Sequence, residues 1–260
     1  MTSVTTVEVP THDGSADALL AVPDGDGPWP GVLLFMDAFG LRPRLRDMAS
    51  TLAEHGYVTL VPNVFYRAGR APVVDVGGLD TADGRTAAFD KLRPLIQGLT
   101  PELATEDAAA YLQFLEADPR VADPPFATVG YCMGAALAFR AAAVAGDRMA
   151  AVAGFHGGRL ATDDPASPHL LVDRLSAEVY LAHADEDGSM PPEQQRRLAD
   201  ALDGAGVRYT AELYDGARHG FTMADTAMYD EAATEQHWDR LLALLDRRLK
   251  DGSAKSPQIG

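Results

Sequence analysis

Gly130-Tyr131-Cys132-Met133-Gly134 sets a cysteine midway between two glycines, and Cys132 is the single cysteine in 260 residues. An apolar run over 126–129 leads into it and an alanine-rich run follows. Gly-x-Cys-x-Gly is the thiol form of the Gly-x-Ser-x-Gly elbow, in which a nucleophile stands at the apex of a tight strand-to-helix turn. The apex backbone is strained, and the positions two before and two after it crowd against the turn, so both must be small. A helix starting at the cysteine directs its unpaired N–H groups at the sulfur and favours a thiolate. Burial as an inert core residue is a common fate of cysteine. The paired glycines at elbow spacing argue instead for a nucleophile.

A thiol nucleophile needs a base within hydrogen-bond reach and a third group to orient that base. The chain order to expect is nucleophile, acid, histidine. Of seven histidines, His183 and His219 follow Cys132 at strand ends. His219, in Asp215-Gly216-Ala217-Arg218-His219-Gly220-Phe221, comes directly after an apparent strand over 209–214 and well before the last helix, where the base belongs. His183 comes too early and reads as a loop histidine near the site, while His156 reads as a residue lining the pocket. His12, His55, His169 and His237 read as solvated residues of turns and helix surfaces. The acid should follow a strand over 178–182, where Asp185, Glu186 and Asp187 all qualify by position. An Asp four residues ahead of a Pro, just before a helix, selects Asp187, with Asp185 as the fallback. A plain acidic surface turn would carry the same residues. Ser189, close by, lacks an elbow of its own.

The scaffold that must position these groups alternates strands with helices and has no repeats. Residues 4–9 and 16–22 flank Asp13-Gly14 as a hairpin. Residues 31–36 form a continuous apolar strand of the kind buried on both faces of a parallel sheet. An amphipathic helix over 44–55 stops at Gly56, and a strand over 57–61 stops at Pro62. The Gly-rich stretch 65–86 reads as a loop over the site, and 85–98 and 105–117 as helices. Strands over 126–129, 150–155, 178–182 and 209–214 follow, with helices after Cys132, over 192–202 and over 228–249. The fold class is therefore α/β, with a mainly parallel central sheet and helices on both faces. In such a sheet, reactive groups collect at the C-terminal ends of the strands. One domain over 1–250 is expected, with the Gly/Ser/Lys/Pro-rich 251–260 as a disordered tail.

Composition narrows the partners. With 22 basic against 38 acidic residues, a net charge of −16, neither nucleic acid nor an anionic membrane is an expected partner. One cysteine makes no internal disulfide, which suits a reducing cytosol. The first residues, Met1 to Glu8, show no basic or apolar region of a signal peptide, and no run reaches the roughly 18 apolar residues of a membrane span, so a cytoplasmic location is expected. No His/Cys/Asp cluster has metal-ligand spacing, and no nucleotide-binding loop is present, so neither a metal nor a cofactor is expected.

Asp37-Ala38-Phe39-Gly40 after a buried strand, the elbow, His183-Ala184-Asp185-Glu186-Asp187 and Arg218-His219-Gly220-Phe221 together resemble the dienelactone hydrolase family of α/β-hydrolases, from about residue 4 to residue 249. The resemblance implies the α/β-hydrolase fold and a triad of Cys132, Asp187 and His219. It also implies an oxyanion hole from the backbone N–H groups of Ala38 and Met133. Family members carry an acid, usually Glu, at the position of Asp37; it contacts the resting cysteine and lets substrate binding switch it to thiolate. The family's carboxylate-binding arginine four residues after the histidine is Met223 here, leaving Arg218, Arg67, Arg70 and Arg85 as candidates to replace it. Asp37, Tyr131 and Met223 are thus the candidate substrate-contacting or activating positions. The implied activity is hydrolysis of a small-molecule ester or lactone through a thioester, by a monomer or homodimer. A carboxylesterase or thioesterase for neutral esters is the alternative on the same triad, and a non-catalytic ligand-binding protein the alternative on the same fold.

Overall fold

The computed structural model describes residues 2–251, so the expected disordered tail lies, after Asp251, outside the described residues. Strands β1 (Ser3–Thr11), β2 (Gly14–Val22), β3 (Gly31–Phe35), β4 (Val58–Pro62), β5 (Phe126–Tyr131), β6 (Met149–Phe155), β7 (Glu178–Glu186) and β8 (Tyr209–Arg218) form one sheet in the order β1-β2-β4-β3-β5-β6-β7-β8. The N-terminal hairpin is antiparallel and β2 joins β4 antiparallel; every later neighbour pair is parallel. Every residue of β3, β4, β5 and β6 is buried, so both faces of the central sheet are covered. That is why these strands are unbroken apolar runs rather than alternating ones.

Six α-helices complete the layers: α1 (Pro43–Glu54), α2 (Ala82–Gly98), α3 (Pro101–Ala117), α4 (Met133–Ala145), α5 (Pro192–Gly204) and α6 (Glu231–Leu245). Helix α4 packs on β3, β5 and β6, and its alanines let it lie close to the strands. Helix α3 starts at Pro101, earlier than periodicity suggests, because the Thr100 side chain caps Leu103 N–H at 3.3 Å and proline suits the first turn. Helix α6 starts at Glu231, later than expected, because the Asp230 carboxylate caps Ala233 N–H at 2.9 Å and residues 221–230 are spent in turns.

The consequential difference lies at β7 and β8. Both run past their apolar stretches: His183 pairs with Leu213, Ala184 with Tyr214 and, after an irregularity, Glu186 with Arg218. His183 and Asp185 are therefore strand residues, and Asp187 is the first residue beyond β7. The loop between β4 and α2 is pinned at its base. Buried Asp17 accepts Asn63 Nδ2 at 2.9 Å and Ala71 N–H at 3.0 Å, and buried Asp107 accepts Tyr66 Oη–H at 2.9 Å and both terminal nitrogens of Arg67. Beyond these anchors α2 buries fully only Ala88 and Leu92, and it stands over the C-terminal ends of β3 and β5.

Candidate active site

The turn from β5 into α4 has the elbow geometry. Cys132 is half-buried at φ 56° and ψ −119°, a left-handed conformation that a side chain bears at a cost of order 1–3 kcal/mol. The flanking glycines show why the strain is kept. A Cβ on Gly130 would collide with the Gly134 carbonyl, and a Cβ on Gly134 would lie 2.5 Å from Met36 O and 2.6 Å from Phe35 O. Strand β3 and helix α4 thus approach through the missing side chains. Met133 is the first residue of α4, so its N–H has no partner within the helix. Among the described residues, Ala38 N–H makes no hydrogen bond, and Ala38 lines the same cavity as Cys132.

His219 follows β8 and lies between Cys132 and Asp187. Its Nδ1 is 2.7 Å from Asp187 Oδ2. Burial opposes a charged imidazole here, but attraction to the Cys132 sulfur and side-chain hydrogen bonds with Asp187 and Cys132 outweigh it, holding His219 well above its usual value. Asp187 is buried, which by itself favours its neutral form; the hydrogen bond and charge of His219, with two hydrogen bonds from Ser189, reverse this and lower it. Asp185 is exposed and accepts Gly216 N–H at 3.1 Å, so of the neighbouring acids Asp187 is the one that meets His219.

The other histidines sort differently from their sequence positions. His156 is fully buried with φ 41°, lines the cavity, and bonds Thr222 Oγ1 at 2.8 Å through Nε2. Its ring stands edge-on to His219 at 5.3 Å, and burial, reinforced by the charge of His219, keeps it neutral. His183 is buried in β7 rather than in a loop, and burial pushes it down to about 4. His237 is not a surface residue: it is fully buried, pushed down to about 3 by desolvation, and its Nε2 lies 2.8 Å from Tyr131 Oη. Tyr131, expected near the substrate, is fully buried behind the elbow and stacks on Phe155 at 5.6 Å. No sequence period marks His237, because its polar partner Tyr131 lies 106 positions away in the chain.

Asp37 lies on the cavity wall, but its carboxylate is held by Arg42, with Nη1 to Oδ1 at 2.6 Å and Nη2 to Oδ2 at 2.9 Å. Phe39 N–H adds a third bond at 3.1 Å. Arg42 also reaches Asp225 in the turn after His219, at 2.5 Å through Nε and 3.2 Å through Nη2. Burial works against the arginine charge, and the two carboxylates more than restore it. Arg44 completes the tie by donating to Thr222 O at 2.6 Å. The Ala38 turn and the His219 turn are thereby fixed to each other through the start of α1. The five-residue spacing of Asp37 and Arg42 was the available signal; nothing local pointed to Asp225.

The cavity above Cys132 is about 270 Å³. Phe39, Phe89, Met223 and Met228 give it apolar walls, and Arg85 is the one arginine or lysine lining it among the described residues. Arg85 Nη1 donates to Leu79 O at 3.2 Å. Of the other arginines considered, Arg67 is paired with Asp13 and Asp107, and Arg70 with Glu8, away from the cavity. Among the described residues no group of acids, histidines and cysteine has the arrangement of a metal site, and no helix is long and apolar enough to cross a membrane.

The model of the dienelactone hydrolase family matches residues 16–249. The chain belongs to this family. It is accordingly a carboxylic ester hydrolase of the α/β-hydrolase fold. The carboxymethylenebutenolidase of Rhodococcus opacus is 29% identical over 227 residues, covering 86% of this chain and 83% of that protein. Two solved structures share the fold. A dienelactone hydrolase-like promiscuous phosphotriesterase from metagenomic libraries superposes with a TM-score of 0.77 at 23% identity, over 95% of this chain and 98% of its own. The dienelactone hydrolase of Anabaena variabilis gives 0.67 at 17% identity, over 96% and 99%.

Proposed function

We propose that this hydrolase cleaves esters or lactones of compact carboxylic acids, with Cys132 as nucleophile, His219 as general acid and base, and Asp187 as the group that orients it. The observation that supports this best is that one imidazole hydrogen-bonds a buried carboxylate and lines, with the only cysteine, the wall of one cavity. The Cys132 thiolate attacks the carbonyl carbon, and the carbonyl electron pair moves to an oxygen that accepts the Ala38 and Met133 N–H groups. The intermediate collapses, the C–O bond breaks, and the leaving alkoxide takes the proton from His219. In a lactone that alkoxide stays tethered to the acyl chain. Forming the thioester also removes the charge from sulfur, and with it an attraction that keeps His219 protonated. The imidazole is then neutral when it must take a proton from water. The hydroxide equivalent attacks the thioester, and the thiolate leaves to re-form the ion pair.

Arg85 makes an anionic substrate the better fit: a carboxylate would meet the arginine while Phe39, Phe89 and Met223 take the apolar carbons. Initial rates on a carboxylate-bearing dienelactone and on a short p-nitrophenyl ester test both levels. Cys132→Ala should abolish both activities, and Asp187→Asn should cost orders of magnitude where Asp185→Asn does not. Arg85→Ala should raise KM for the lactone alone. Turnover by Cys132→Ala would sink the nucleophile; a neutral-ester preference untouched by Arg85→Ala would favour a general carboxylesterase.

A further inference from the structure

The proposed triad leaves one polar side chain beside it without a role. Ser189 Oγ lies 2.6 Å from Asp187 Oδ1 and 3.3 Å from His219 Nδ1, and Ser189 N–H donates to the same Oδ1 at 2.8 Å. A hydroxyl has a single proton, and the short contact to a carboxylate takes it. Toward His219 the oxygen can therefore only accept. The Nδ1–H group then faces two acceptors, Asp187 Oδ2 at 2.7 Å and Ser189 Oγ behind it. One carboxylate oxygen carries both Ser189 donors and the other is left for the imidazole.

We infer that Ser189 is a positioning residue of this hydrolase: its hydroxyl fixes the plane of the Asp187 carboxylate and so the direction of the His219 ring. The inference rests on the triad proposed above. Two features hold the hydroxyl in place. Ser189 O accepts Arg159 N–H at 2.8 Å, from a turn in which His156 and Arg159 both take positive φ, 41° and 57°. Gly158, in the same turn, lies so close that a Cβ there would be 2.5 Å from Ser189 Oγ and 3.7 Å from His219 Cε1. Two left-handed non-glycine residues in one short turn are costly, and the turn they shape lies tightly against Ser189.

The pH response separates positioning from packing. Without the hydroxyl, Asp187 loses a donor that stabilises its charge and shares the imidazole proton more strongly, so His219 gives up its proton at higher pH. Ser189→Ala should lower kcat roughly tenfold, the value of one hydrogen bond to a charged group, at unchanged KM. The acidic limb of its kcat profile should move up. Ser189→Thr, which keeps the hydroxyl, should restore both, and Gly158→Ala, which displaces it, should reproduce the loss in kcat. Wild-type kcat and an unmoved limb in Ser189→Ala would overturn the inference. So would equal impairment of Ser189→Ala and Ser189→Thr with the limb in place, which would mark simple packing. Cys132→Ala run alongside keeps the two readings apart: if it is inactive while Ser189→Ala behaves as wild type, the triad stands and only the role of Ser189 fails.

Discussion

Substituting Gly134 by alanine separates the spacing of β3 and α4 from the chemistry at Cys132. The added Cβ would lie 2.5 Å from Met36 O and 2.6 Å from Phe35 O. An ordinary carbon-to-carbonyl-oxygen approach is about 3.3 Å, so strand and helix must part by about 0.8 Å. Both obstacles are backbone, and no rotamer change relieves them. Met36 is two residues before Ala38, so the parting moves one proposed oxyanion donor away from the other, Met133, at the start of α4. A misplacement of about 1 Å costs on the order of 100-fold in rate, and the overpacking itself costs roughly 1–3 kcal/mol. Gly134→Ala should therefore fold, melt several degrees lower, and lose about two orders of magnitude in kcat with KM little changed. Steady-state kinetics on a short p-nitrophenyl ester beside a thermal melt makes the measurement. A kcat within threefold of wild type, at a lowered melting temperature, would show that this contact does not set the donor geometry. Gly130→Ala faces a worse collision, with the Gly134 backbone itself, and should not accumulate as folded protein.

Cys132→Ala should lower the value at which His219 titrates, because attraction to the sulfur is the largest influence raising it; a histidine NMR titration that shows no fall would refute that attraction. The stability that goes with a raised histidine is present below its unfolded value and lost as pH rises through the folded one, so the melting temperature should decline over that window in wild type and less in the variant. Arg42→Met strands Asp37 and Asp225 and should cost about 3–5 kcal/mol in urea unfolding. A loss below 1 kcal/mol would mean that water or a rearranged loop replaces the arginine.

Much of this architecture could be read from the residues, because the elements that matter are sharply encoded. The continuous apolar run 31–36 read as a strand buried on both faces, and the Gly-x-Cys-x-Gly spacing after the run 126–129 as a tight strand-to-helix turn, and β3, β5 and the turn into α4 follow that pattern. Chain order around that turn pointed to Cys132, Asp187 and His219 as the proposed triad, and the fold brings Asp187 and His219 to 2.7 Å. Strand ends were misjudged at β7 and β8, where pairing continues after the apolar pattern stops, and this moved His183 out of its expected loop. His237 and Tyr131 were beyond reach for a different reason: the hydrogen bond that pairs them in the core joins positions 106 apart. The same holds for Arg42 and Asp225, whose attraction depends on a turn geometry that no local pattern announces.

The sheet order has a cost for the end of β6. Cys132 leaves β5 and His219 leaves β8, with β6 and β7 between them. At about 4.8 Å per strand these starting points are roughly 14 Å apart, measured across the grain of the sheet. The imidazole has to lean over two strand ends to meet the thiol. Gly157 and Gly158 keep that path low: a Cβ on Gly157 would run into Ala135 Cβ at 2.7 Å, and one on Gly158 into Ser189 Oγ. Both positions are held to glycine by their neighbours, Gly157 by Ala135 and Leu160 and Gly158 by Ser189. Variation in substrate range has to come from the opposite rim, where α2 brings Arg85 and Phe89 and where side chains can lengthen without standing in the crossing.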